Sequence, residues 1–167
     1  DRNYTTSIKR KNELVEFSLP SNLYIIGTMN TSDRSIGAID FAIKRRFISI
    51  YVPPDASLAE DLCETDFGIS VGDLLRKLNS NLFNTLKNRE LAIGHALFFD
   101  ESVLSSSKKK YIWSDNDFEL LFNYKILPLI EDYTKGNMSQ LNEILGKDLS
   151  NRITGSDFIQ HLSDLVS

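Results

Sequence analysis

Leu23-Tyr24-Ile25-Ile26-Gly27-Thr28-Met29-Asn30-Thr31-Ser32-Asp33, then Ile36, Ile39 and Ile43 at helical spacing, then Lys44-Arg45-Arg46-Phe47, is the stretch from which the fold is read. It opens on a continuous apolar run bounded by Pro20 and Gly27, the pattern of a short strand covered on both faces in a parallel sheet. The recurring isoleucines predict a short helix ending at Arg45 and Arg46. Residues 47–52 return to β-forming types before Pro53 and Pro54, which cannot donate to a ladder. The predicted local order is strand, loop, helix, strand.

Working outward, residues 1–12 are polar, with Lys9, Arg10 and Lys11 adjacent, and read as a loop or as an entry from something upstream. Beyond the prolines the period becomes helical. Ser57 and Glu60 have the spacing of a capping box for a short helix. Val71, Leu74, Leu75, Leu78, Leu82 and Leu86 fall on one stripe of a helix of about four turns. A second long helix is predicted through Phe118, Leu121, Phe122, Ile126, Leu129, Ile130 and Tyr133, kinked or restarted at Pro128. Leu141, Ile144 and Leu145 give a third helix ended by Gly146, and residues 156–166 a fourth. Residues 91–99 (LAIGHALFF) are too apolar for an ordinary loop and too short for a core helix, so they are expected to pack under the bundle or against a neighbouring domain. Residues 105–110 read as a polar, basic surface loop, and Trp113 beside it as an anchor for the bundle. The expected division lies near Pro53, with an α/β part over residues 1–54 and an all-α bundle over 55–167.

The totals exclude some classes. Hydrophobic residues at 41% and charged residues at 25% are ordinary for a globular protein and allow a sizeable core. A net charge of −4 lacks the basic footprint of a phosphate-backbone binder, so direct DNA binding by this portion is not expected. Cys63 is the single cysteine, which rules out an intrachain disulfide and a multi-cysteine zinc site and fits a cytoplasmic setting. No membrane span is expected.

The polar turn after the predicted strand carries the candidate chemistry. Asn30 can donate to a phosphate oxygen and accept from water at once without adding negative charge. Paired guanidiniums at Arg45 and Arg46 suit oxygens that gain charge in phosphoryl transfer. Taken singly, an Asn-x-x-Asp turn also reads as a capping turn, and paired arginines as a solvated face.

In combination and order, these residues resemble the McrB branch of the AAA+ nucleotide hydrolases. The resemblance implies a partial AAA+ P-loop NTPase core followed by a helical lid bundle. It implies that Asn30 is the sensor 1 residue that orients the attacking water. Asp33 is implied as a site acid that either positions water or holds a basic group of a neighbouring subunit. Arg46, with Arg45, is implied as the arginine finger facing the next subunit's nucleotide. The family's common form has alanine where Ser32 stands. Ile93-Gly94-His95 is similar to a short McrB-type lid motif, which implies that Gly94 and His95 approach the nucleotide base or phosphates. The bare residues equally allow a turn glycine and a packing histidine. No window supplies Gly-x-x-x-x-Gly-Lys-[Ser/Thr], and no acidic pair follows the predicted strand. The chain is therefore expected to be a fragment or one piece of a split protein, inactive by itself and with no cofactor bound to it alone. The resemblance further implies GTP (or ATP) and Mg²⁺ in the parent, a homo-oligomeric ring, an McrC-like nuclease partner, and DNA held by a separate domain. A MoxR or dynein-related remodelling ATPase and a non-enzymatic helical interaction module are the alternative readings.

Overall fold

The computed structural model describes residues 5–11, 13–29 and 45–167. Asn30, Asp33 and the predicted helix of Ile36, Ile39 and Ile43 lie outside them. The chain forms two compact units, Asp1–Ser35 and Ile36–Ser167, so the expected boundary at Pro54 falls inside the second.

In the first unit, β1 (Thr5–Arg10) and β2 (Glu13–Ser18) pair antiparallel, with Ile8 opposite Val15 and Thr6 opposite Phe17. Lys11, with φ 48, supplies the left-handed residue that a tight hairpin connection requires. This corrects the reading of residues 1–12 as a loop. Cross-strand pairing groups Ile8, Val15 and Phe17 on one face, a pattern invisible when β1 is read alone because only Ile8 is apolar there.

The runs at 23–26 and 47–52 carry no strand. Leu23 instead donates to the carbonyl of Pro20 in a turn (3.1 Å), and Ile26 and Ile48 are 93% and 92% exposed. Their composition encodes burial between sheet neighbours, and no described strand lies in a ladder with either run. The expected parallel sheet is accordingly not seen among the described residues. The helical half is.

α1 (Ala56–Leu62) is capped by Asp55, whose carboxylate accepts from the Leu58 amide at 3.0 Å. The cap is thus Asp55 and not the Ser57/Glu60 box, because Ser57 already lies within the helix and Glu60 faces Arg76 at 2.6 Å. α2 (Val71–Leu86) starts at a Ser70 cap and ends where Lys87 turns left-handed at φ 52. Its predicted stripe is buried through Val71, Leu74, Leu75, Leu78 and Leu82, with Leu86 at the margin. Gly72 is required by the crossing of α1, since a Cβ there would sit 2.7 Å from the Ala56 oxygen and the Glu60 Cβ.

The second long helix divides as Pro128 predicts. α3 (Asp115–Leu121) runs into a π-helical turn, Phe122–Ile126, and then α4 (Leu127–Thr134). Pro128 has no amide for the carbonyl four residues back and its ring would crowd that carbonyl. The widened turn, in which the Leu127 amide reaches Phe122 O, accommodates this. α5 (Met138–Leu145), capped by Asn137 and stopped by Gly146 at φ 82, and α6 (Ser156–Val166) complete the bundle. Phe98, Phe118, Phe122 and Phe158 fill the core around α2.

Residues 106–109 form the expected surface turn, and the flanking Ser105 and Lys110 are the ends of strands in a small sheet. β3 (Cys63–Thr65) lies parallel to β5 (Lys110–Trp113), and β4 (Leu104–Ser105) pairs antiparallel on its other side. Glu64 on β3 receives Lys110 at 2.9 Å and Lys108 at 3.1 Å, and these bonds hold its carboxyl below the usual carboxylate range. The basic loop therefore closes onto its own sheet. Trp113 anchors the bundle as expected, donating from Nε1 to the Phe98 carbonyl (3.2 Å) and meeting the Phe118 ring edge-on.

Candidate functional site

Residues 91–99 form a strap across the bundle, and its attachment is polar as well as apolar. Ile93 is fully buried, and its backbone is gripped on both sides by Asn79 of α2. The Ile93 amide donates to Asn79 Oδ1 at 2.7 Å, and Asn79 Nδ2 donates to the Ile93 carbonyl at 3.0 Å. At the other end, a short 3₁₀ turn over His95–Phe98 buries Phe98, whose carbonyl accepts from Trp113 and from the Cys63 thiol (3.7 Å). The strap thus packs under the bundle.

Between these pins Gly94 is exposed and His95 half-buried. Gly94 has φ −78, and nothing lies within 4 Å of the Cβ it lacks, so no turn at this point demands glycine. The Asp55 amide donates to Nδ1 of His95 at 2.9 Å. A ring that accepts at Nδ1 carries its proton on Nε2 when neutral. His95 also lies against Phe99, with ring centroids 5.6 Å apart. Val52, Pro53, Pro54 and Leu58 form an open groove whose wall is completed by His95. A second cleft on the other side of the linker is lined by Tyr51, Phe83 and Arg89, with the Arg89 guanidinium over the Phe83 ring and the Tyr51 hydroxyl donating to the Arg89 carbonyl (3.2 Å).

Of the expected site residues, Gly94 and His95 are brought to the linker that enters the bundle. Arg45 and Arg46 lie in an exposed turn before Phe47, while Asn30 and Asp33 fall outside the described residues. Asp55 and Asn79, which fix the strap, carry no local sequence signal: their partners lie 40 and 14 residues away. The remaining titratable candidates are structural. Burial pushes the Cys63 thiol up to about 11, Glu131 pairs with Arg152 at 3.1 Å, and Asp117 is bonded to the Ser114 cap. Among the described residues no cluster of His, Cys, Asp and Glu could hold a metal ion, and no helix is long and apolar enough to cross a membrane.

A helical bundle joined through a double-proline linker, with a pinned strap presenting Gly-His back to that linker, defines a lid-type domain. Residues 70–142 match the family described as McrB, alpha-helical lid domain. The chain is also 33% identical over 97 residues to the Type IV methyl-directed restriction enzyme EcoKMcrB subunit of Escherichia coli (strain K12), a match covering 53% of this chain and 21% of that relative. The resemblance to the McrB type holds over this part, and the residues matched to the lid family contain Ile93-Gly94-His95. It spans about a fifth of the relative it matches.

Proposed function

We propose that this chain is the lid-bearing part of an McrB-like AAA+ hydrolase that uses GTP (or ATP). The observation that carries the reading is that the McrB lid match contains the Gly94-His95 strap, and that this strap borders a groove at the linker. In the proposal Asn30 orients the attacking water, Asp33 serves as the site acid, and Arg46 with Arg45 faces a neighbouring subunit's phosphates in a homo-oligomeric ring. An McrC-like nuclease and a separate DNA-reading domain belong to the same proposal.

The groove residues suit the flat part of a nucleotide. Val52, Pro53 and Leu58 offer apolar contact, and His95, which lines the groove, has Nε2 left for a ligand because Nδ1 is taken by the Asp55 amide. They do not suit Mg²⁺ or a phosphate cradle. The sequence has no P-loop and the described residues gather no group of three or more His, Cys, Asp and Glu that could hold a metal, so no step is assigned to the metal here.

The test is made in the assembled hydrolase that supplies a P-loop. Asn30→Ala and Arg46→Ala are each expected to cut turnover by about 10²-fold or more while nucleotide affinity is largely kept, the pattern of lost transition-state charge stabilisation. Unchanged turnover in both defeats the site assignment. Comparing GTP with ATP hydrolysis in the same preparation separates this reading from a MoxR or dynein-related ATPase.

A further inference from the structure

We propose that His95 is a positioning residue that fastens the linker 51–55 to the lid, so that linker and bundle turn as one body about a pivot before Tyr51. The double proline then acts as a splint and not as the joint.

Two ties bracket the prolines. On one side the Tyr51 hydroxyl holds the Arg89 carbonyl at 3.2 Å; on the other the Asp55 amide is held by His95 Nδ1 at 2.9 Å. Pro53 and Pro54 lie between them with φ fixed near −65° by their rings, so the bracketed segment has few soft dihedrals left. The anchor is itself held on both sides. His95 sits two residues after Ile93, which Asn79 grips from both sides, and three before Phe98, whose carbonyl is taken by Trp113 and Cys63. Asp55 is also the cap of α1, so the bond to its amide fixes the first helix of the lid together with the linker. A helix-capping residue's own amide has no partner inside the helix, and His95 supplies one.

The bond itself does not depend on the nucleotide reading, but its bearing on turnover rests on it: a lid that moves rigidly with its linker passes a displacement at the site on to the bundle undamped. The isosteric pair of amides distinguishes the two ring nitrogens. Asn places its oxygen near the position of Nδ1, whereas Gln reaches toward that of Nε2.

Exchange of the Asp55 amide is followed by NMR in this chain as wild type, His95→Asn, His95→Gln and His95→Ala. Asn is expected to keep the wild-type rate within about threefold, and Gln and Ala to exchange about tenfold faster, the ratio expected for one net hydrogen bond. Tyr51→Phe alters only an exposed hydroxyl, leaves the bundle folded, and is expected to raise Asp55 exchange by about threefold through the loosened bracket. Equal rates in all variants, or protection by Gln but not by Asn, overturn the proposal. In the assembled hydrolase kcat is expected to be higher for His95→Asn than for His95→Gln, while loss of the proposed Nε2 contact to nucleotide shows as a higher KM for His95→Asn; the reverse order of kcat overturns the proposal. An assembly that hydrolyses no nucleotide refutes the function proposed above while the exchange order still decides this one.

Discussion

Asn79→Ala tests whether the strap is held by the polar grip or only by the burial of Ile93 and Phe98. The substitution deletes the bond from the Ile93 amide (2.7 Å) and the bond to its carbonyl (3.0 Å), leaving both groups of a fully buried residue to find other partners. A net hydrogen bond contributes about 1 kcal/mol and an unsatisfied buried group costs about 1–3 kcal/mol. Asn79 is only part-buried, so water can reach its vacated position and the lower end applies: about 2 kcal/mol for the pair. With a urea dependence of about 2 kcal/mol per molar, the midpoint should fall by about 1 M at constant slope. Trp113 is the single tryptophan and is 3% exposed, so its fluorescence reports the transition from within the bundle. Asn81→Ala on the same helix is the internal control, because it removes one bond, to the Ile144 carbonyl at 2.8 Å, and should cost about half as much. A shift for Asn79→Ala no larger than that for Asn81→Ala would refute the two-sided grip.

The remaining predictions concern separate parts of the lid. Gly72→Ala should destabilise by about 2 kcal/mol in the same urea titration, because its Cβ would stand 2.7 Å from the Ala56 oxygen and force α1 off α2, whereas Gly94→Ala, at an unstrained φ with open space around it, should stabilise by about 0.5–1 kcal/mol. Cys63, with its thiol pushed up to about 11 and buried, should resist iodoacetamide at pH 8 in the folded chain and react once urea unfolds it; rapid native labelling contradicts its placement. Asp100 titrates at about 2 instead of 3.8 because it accepts the Ser102 hydroxyl first, then the Ser102 amide, then Lys125. A lowered folded-state pKa contributes stability that is complete above 3.8 and is lost as pH falls toward about 2, so Asp100→Asn should flatten that part of an acid titration; an unchanged profile is the contrary result.

The helical half was legible because a helix stripe needs nothing beyond its own residues. The run from Val71 to Leu86 lies on one buried face, the bounds of α6 coincide with those expected, and Pro128 marked the π-helical turn. Strands depend on partners, and the sequence names none. Hence Thr5–Arg10, with one apolar residue, carries no strand signal of its own although β2 completes its face, and the neighbours that make Lys110–Trp113 a strand come from the distant Cys63–Thr65 and from Leu104–Ser105. The runs at 23–26 and 47–52 illustrate the converse: β-rich composition with no strand neighbour among the described residues goes with Ile26 and Ile48 exposed.

The two glycines Gly72 and Gly94 show how far the site itself could be read. Gly72 passed unremarked in the sequence, yet the fold requires it, because two helices cross with no room for a methyl group. Gly94 was singled out by its motif, yet neither its φ of −78 nor its surroundings require it for folding. A glycine costs backbone entropy in the unfolded chain relative to alanine, of order 0.5–1 kcal/mol, which an unconstrained, exposed position gives the fold no reason to bear. That cost at Gly94, next to a histidine whose Nδ1 is committed to Asp55 and which lines the groove, is what the proposed close approach of a ligand at this corner would account for. Asn79 and Asp55 are then the residues that hold the corner open, and their role could emerge only once the chain had brought α2, the strap and the linker together.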